Sequence, residues 1–246
     1  MADVPYSWLS QHYDRLMGHV AYEIWANSIS KILKRTKRTP RRLLELGAGT
    51  CKLAEMLTVP SLEFRVHTDL SLGMLQVAPS PYPFPRVACD ATAIPFAAGF
   101  DFVLMCYDAV NYLDPDGIKK LFSEVERVLT EDGLFLFDIT TEENSIQWFE
   151  EYVDAFEASG GMLVRRSQFD AANGIQHNFF DFFVPVAGGL YERKQEHHEQ
   201  FIYPVPTLCT WLAESGLRVI DLLDSQTLRA ATSKSERIQV LVERDV

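Results

Sequence analysis

Along residues 42–138, apolar runs alternate with amphipathic stretches. The spacing predicts strands over 42–46, 63–68, 86–89, 101–106 and 133–138, with helices over 51–58, 72–78 and 115–129 between them. The strand segments are near-continuous runs of Leu, Val and Phe, which marks strands covered on both faces. The expected fold class is α/β, a doubly wound, mostly parallel sheet with helices on either side. Upstream, Trp8, Leu9, His12, Tyr13, Leu16 and Met17 recur at helical spacing, as do Val20, Ile24, Trp25, Ile29, Ile32 and Leu33, so residues 5–38 read as two helices. Pro79, Pro81, Pro83 and Pro85 predict an extended loop before the third strand.

After Asp138 the rhythm changes. Residues 142–156 read as a helix, with Thr140 or Thr141 as N-cap and Glu142 and Glu143 in its first turn. Three β-like stretches follow, Met162–Phe169, Ile175–Val186 and Leu190–Tyr203, with Asn173-Gly174 and Gly188-Gly189 as hairpin turns. They predict an antiparallel β cap at 157–203, inserted into a body formed by 1–156 and 204–246. Residues 205–215, 217–223 and 236–244 give a closing helix and two strands. Phe179, Phe180, Phe182 and Phe183 load both faces of the middle cap strand; one face is expected on the body, the other against a substrate or a second copy in a homodimer.

Candidate chemistry gathers at the carboxyl ends of the predicted strands, where α/β folds bind ligands. The first strand runs Leu43-Leu44-Glu45-Leu46 into Gly47-Ala48-Gly49, a tight turn whose glycines let backbone approach a ligand. The second ends at Asp69, 22 residues after Gly47, a carboxylate suited to accept from both hydroxyls of a ribose. The third closes at Asp90. Lys52 stands where the dinucleotide fingerprint would need its third glycine, which argues against a pyrophosphate cofactor.

These residues resemble the class I S-adenosylmethionine-dependent methyltransferases. The acid-x-Gly-x-Gly-x-Gly motif lies at Glu45 to Cys51, departing at Cys51, where the family usually has glycine. Asp69-Leu70-Ser71-Leu72-Gly73-Met74-Leu75 is similar to the ribose-binding stretch, and Asp90-Ala91-Thr92 to the adenine-side motif. Phe100-Asp101-Phe102-Val103 resembles the start of the fourth strand, and Leu129 to Asp138 the turn into the fifth. The resemblance implies a seven-stranded Rossmann-like methyltransferase fold whose last strand, Ile238 to Val242, enters antiparallel, with S-adenosyl-L-methionine as cofactor. It implies that Gly47, with Ala48 and Gly49, lies against the methionine portion, that Asp69 takes the ribose, and that Leu70 packs on the adenine. Asp90 would accept from the adenine amino group, and Glu45, Met74, Ala91 and Cys106 complete the expected cofactor set. Tyr13-Asp14 is similar to a pair whose helix closes over the cofactor, although Tyr13 also fits an apolar core face.

Substrate-facing groups often follow the fourth strand in this family, making Tyr107, Asp108 and Asn111 candidates; the alternative is that Asp108 and Asn111 satisfy loop backbone. In the cap, Tyr191, Arg193, Gln195, His197, Glu199, Phe201 and Tyr203 share one strand face. That row could line the acceptor pocket with His197 as proton acceptor; an ordinary strand-face histidine is the competing reading. For Asp69 and Asp90 the competing reading is a helix cap or turn.

Composition narrows the choice of acceptor. The 246-residue chain carries a formal charge of −11, which repels polyanions and argues against a nucleic-acid partner. Lys31, Lys34, Arg35, Lys37, Arg38, Arg41 and Arg42 crowd one helix end, where cations face the helix C-terminus; an RNA contact is the sharper alternative. No apolar run suggests a membrane span, and the N-terminus lacks a secretory pattern. Cys51, Cys89, Cys106 and Cys209 show no metal spacing, so no metal is expected, and a reducing cytoplasmic setting fits. The expectation is a methyltransferase for a small-molecule acceptor, N-methylation favoured. An RNA or protein methyltransferase, a non-catalytic cofactor-binding module and a dinucleotide oxidoreductase are the alternatives.

Overall fold

The computed structural model describes residues 6–78, 83–158 and 160–245. Pro79 and Pro81 of the expected proline loop lie outside the described residues. The strands β1 (Arg42–Leu46), β2 (Phe64–Asp69), β3 (Arg86–Ala88), β4 (Phe100–Met105), β5 (Leu129–Thr140), β10 (Leu217–Asp224) and β11 (Arg237–Arg244) form one sheet in the order β10-β11-β5-β4-β1-β2-β3. Only β11 is reversed, pairing antiparallel with both β10 and β5. The order reverses between β1 and β4, which opens a crevice above their carboxyl ends.

Helices cover both faces. On one, α5 (Pro115–Val128) and α7 (Val205–Glu214) bury Ile118, Leu121, Phe122, Leu208 and Leu212 against Phe135, Phe137 and Val240. On the other, α2 (Tyr22–Thr36) and α3 (Lys52–Met56) bury Ile29, Ile32, Leu33 and Leu53 against Leu43, Phe102 and Leu136. Asp114 caps α5 by accepting from Gly117 N at 2.7 Å, and Pro115 follows at the first helical position. The short α4 (Leu72–Val77) is capped by Ser71. Of the first predicted helix only a 3-10 turn at Leu9–Gln11 and α1 (Tyr13–Leu16) form.

A second, antiparallel sheet runs β6 (Glu151–Ala158), β7 (Gly161–Asp170), β8 (Ile175–Val186) and β9 (Leu190–Phe201). The helix expected over 142–156 is therefore corrected. Helix α6 (Glu142–Phe149), capped by Thr141, ends early, and β6 takes the remainder as an edge strand of the cap sheet. Its inner face packs Leu163, Phe180 and Phe182 on Leu9, with Tyr6, Trp8 and Tyr13 around them. The cap thus rests on the N-terminal segment, and that segment rests on the crevice. No helix among the described residues is long and apolar enough to cross a membrane.

Candidate active site

The turn after β1 is built for backbone. Gly47 and Gly49 hold φ of +63° and +57°, a region that disfavours side chains. A Cβ on Gly47 would lie 3.0 Å from Ala109 Cβ, and one on Gly49 would lie 3.2 Å from Met74 Cε. Met74 is buried beneath the turn and supports it from below. Cys51 also adopts positive φ, +61°, which explains the glycine its resemblance calls for. The thiol packs with Ala54, Leu75 and Ala78, so the turn keeps its shape at a cost of about 1–2 kcal/mol.

The acids at the strand ends divide into buried and open. Glu45 is buried, its Oε2 2.5 Å from His67 Nδ1 on β2. Asp69 accepts from Gly49 N through Oδ2 and from Ser71 N through Oδ1, both at 2.8 Å. Burial pushes its pKa up despite those backbone donors. Each oxygen keeps a further lone pair for a ligand. Asp90 is exposed and accepts at 2.8 Å from Thr92 N and Oγ1 through Oδ1. Both acids therefore close turns while leaving acceptor capacity, so the two readings of them coexist. Leu70 beside Asp69 is 71% exposed, an apolar surface with nothing packed on it.

The N-terminal segment closes over this turn. Asp14 Oδ1 accepts from Thr50 Oγ1 at 2.5 Å and Lys52 Nζ stands 3.6 Å from Oδ2. Tyr13 is thereby held over a narrow cleft of about 30 Å³, which Glu45, Gly47, Gly49, Cys106 and Tyr107 also line. Burial pushes the Cys106 thiol well up, which makes it an inert wall. From the cap, the Glu196 carboxylate accepts from Tyr6 N at 2.9 Å, from Leu9 N at 3.0 Å and from Trp8 N. His198 Nε2 lies 2.9 Å from the same carboxylate. One buried cap residue thus clamps the segment.

A larger cavity of about 240 Å³ adjoins the cleft, bounded by the N-terminal segment, the loop after β4 and the inner cap face. Tyr13 and Tyr107 are walls of both spaces. Its polar side is a connected rail. Gln176 Nε2 and Asn178 Nδ2 donate to Gln200 Oε1 at 3.1 and 3.2 Å, and Gln200 Nε2 donates to Asp108 Oδ2. Arg237 then bridges Asp108 at 2.8 Å and the buried Asp138 at 2.5 Å. Asp138 in turn accepts from Tyr107 N at 2.6 Å and Asp108 N at 3.0 Å. Those two bonds hold Tyr107 and Asp108 at φ of +64° and +47°, strained values for residues with side chains. Burial pushes the Asp138 carboxyl up, opposed by the Arg237 guanidinium. Burial likewise raises the phenols of Tyr6, Tyr13 and Tyr112, which stay neutral.

Two substrate candidates are displaced. Asn111 is fully buried; its amide accepts from Thr140 N at 3.0 Å and donates to Phe201 O at 2.8 Å, so it fastens the cap strand to the loop and does not face the cavity. His197 lies on the outer cap face, stacked on Phe179 at 4.4 Å between ring centroids. The inner row is Glu196, His198 and Gln200, one residue out of phase with the expected row. Asp108 and Tyr107 do line the cavity. Four of the seven residues of the basic cluster have partners within the chain, and Lys31, Lys34 and Lys37 are exposed. Arg35 donates to Leu228 O, Arg38 pairs with Glu243, Arg41 with Glu63, and Arg42 donates to Gly99 O.

The residues present fit an adenosyl sulfonium. The glycine turn has no room for a Cβ, Leu70 offers an open apolar face, and Tyr107 Oη and Thr140 Oγ1 are buried at the cavities without a hydrogen-bond partner among the described residues. A model of the methyltransferase domain matches residues 44–137, which run from β1 into β5. The chain is 28% identical over 234 residues to a Geobacillus sp. (strain WCH70) protein whose name assigns it to the methyltransferases, covering 92% of this chain and 94% of that one. It superposes with a TM-score of 0.81 on an S-adenosylmethionine-dependent methyltransferase from Clostridium acetobutylicum, 26% identical, covering 98% and 99% of the two chains. The fold is also that of a sugar N-methyltransferase from Streptoalloteichus sp., with a TM-score of 0.76 at 16% identity over 99% and 97% of the chains. Sheet order, site and relatives define an S-adenosylmethionine-dependent enzyme that transfers methyl groups. The methyltransferase domain over residues 44–137 and the full-length likeness to methyltransferases support the class I methyltransferase superfamily, with S-adenosylmethionine as cofactor.

Proposed function

We propose that this methyltransferase N-methylates a small, amine-bearing acceptor held beneath the β cap. The observation that carries the reading is the adjacency of two spaces, a glycine-walled cleft and a 240 Å³ chamber, which share Tyr13 and Tyr107 as walls. The bound cofactor supplies an electrophilic methyl group to an in-line nucleophile. The chain's own work is to hold, orient and exclude water.

On this reading Gly47, Ala48 and Gly49 lie along the methionine portion, and Glu45, fixed by His67, sets the floor. Asp69 accepts the ribose hydroxyls. Leu70 and Ala91 cover the adenine, whose amino group donates to Asp90. Tyr13 forms the lid, Cys106 the inert wall and Met74 the support beneath the turn.

The chamber favours an amine over a phosphate. Arg237 is flanked by Asp108 and Asp138, and Arg165 pairs with Asp154 at 3.1 Å, so among the described lining residues no Lys or Arg is left unpaired for an anionic acceptor. Asp108 and Gln200 can orient polar groups, while the neutral rings of Tyr6, Tyr13 and Tyr112 suit a developing ammonium. A neutral amine attacks through its lone pair and sheds its proton afterwards, which needs only a mild base. The sugar N-methyltransferase with the same fold supports this acceptor class. The cap, 157–203 with β6 added, is the roof of the chamber, and the body is the remainder. Three buried thiols suit a cytoplasmic setting.

The test is transfer of tritiated methyl from labelled cofactor to a panel of amino sugars, amino acids, phenols, RNA and protein. Label on nitrogen of a small amine is expected. Label confined to RNA, protein or oxygen overturns the proposal.

A further inference from the structure

On the outer face of the cap, away from both cavities, β8 and β9 bring together two imidazoles and a carboxylate. His177 stands directly opposite Glu199 in the register, and His197 lies opposite Phe179 one step along the same face. His177 Nδ1 is 3.1 Å from His197 Nε2 and 3.4 Å from Glu199 Oε1. All three donor atoms fall within 4.8 Å of one another. Tetrahedral zinc with bonds of about 2.0–2.1 Å sets its ligand atoms about 3.3 Å apart. Two of the three separations already match that spacing. The third needs only a rotation of the half-exposed Glu199 side chain.

We propose that His177, His197 and Glu199 bind a divalent transition-metal ion, zinc by preference, with water completing the coordination. Two imidazoles and one carboxylate form a recognised zinc donor set. The rings are ordered beforehand: His197 stacks on Phe179 with an interplanar angle of 6°, and His177 stacks on His197 at 5.2 Å. Without metal, the two imidazoles share a hydrogen bond; the ion takes its place and ties β8 to β9. No sequence spacing points to the site, because His177 lies 20 and 22 residues from His197 and Glu199 and meets them only through the hairpin register. The ion would stiffen the roof of the acceptor chamber from outside and take no part in methyl transfer.

The test uses the full-length, untagged protein, stripped with chelator and titrated with zinc sulfate by calorimetry, and with cobalt by visible absorption. One zinc per chain and the absorption bands of four-coordinate cobalt are expected. The His177→Gln/His197→Gln double variant should bind zinc on the order of a hundredfold more weakly, while keeping its affinity for S-adenosylhomocysteine, which reports an intact body. Should that variant fail to fold, Glu199→Gln serves, with a weaker zinc affinity and an altered cobalt spectrum expected. No saturable binding by the parent protein, or binding unchanged in the variants, overturns the site.

Discussion

At the residue scale, the site's logic rests on carboxylates whose oxygens are partly used by backbone and partly left for a ligand. Asp69 is the clearest. Its replacement by Ala removes two bonds to the glycine turn and the proposed acceptor for the ribose, and should weaken S-adenosylhomocysteine binding at least about tenfold by calorimetry. An unchanged affinity would remove the assignment. Arg237 is the second point of leverage, since it neutralises the fully buried Asp138. Arg237→Met should cost about 3–5 kcal/mol in urea unfolding, because an uncompensated carboxylate is left inside. The Asp138 pKa is raised on folding, so its ionised form opposes the fold, and stability falls as pH rises through the folded value. Removing Arg237 strengthens that slope. The variant's deficit should therefore be larger at pH 8 than at pH 5; a loss under about 1 kcal/mol at pH 8 would refute the pairing. The placement of Glu45, Asp69 and Asp90 at strand ends was legible in the sequence, because strand-end turns are local. The partners of Asp108 were not: Gln200 and Arg237 lie 92 and 129 residues away, and only the fold joins them.

At the scale of elements, the central sheet was legible because parallel strands read as apolar runs ending in acids and glycines. The cap was legible in outline and its phase was not. In β9 both faces carry polar residues and histidines sit on each, so period-two alternation could not tell inner from outer, and the whole row shifted by one. In β6, Glu151-Tyr152-Val153-Asp154-Ala155-Phe156-Glu157-Ala158 mixes good helix formers with an alternation that an edge strand half-exposes, and no breaker separates it clearly from α6. The contact that organises these elements is Glu196. Burial opposes its charge, but hydrogen bonds from His198 and from Trp8 N and Leu9 N hold its pKa below the ordinary carboxylate range. Its stabilising contribution is present above the unfolded value of about 4.3 and is lost as pH falls through the lower folded value. Glu196→Gln should remove that acid-side loss and speed hydrogen exchange at the amides of Trp8 and Leu9 by about tenfold. Unaltered exchange would mean that the clamp contributes nothing to seating the lid.

At the scale of the molecule, three layers lie in series: a parallel sheet fixes the glycine-walled cleft, the N-terminal segment covers it, and the cap packs on that segment. The formal charge of −11 agrees with the proposed acceptor being neither RNA nor DNA. The superfamily was readable from motif order across residues 45–138, since those motifs are turns with fixed backbone demands. The cavity under the cap was not, because it is assembled from distant segments whose individual residues carry no signature. The most direct measurement is a crystal structure with S-adenosylhomocysteine bound. The ligand should lie along Gly47 to Gly49, its ribose hydroxyls within hydrogen-bond reach of Asp69 and its sulfur facing the chamber under the cap. A ligand lodged elsewhere, or Asp69 turned away from the sugar, would contradict the account.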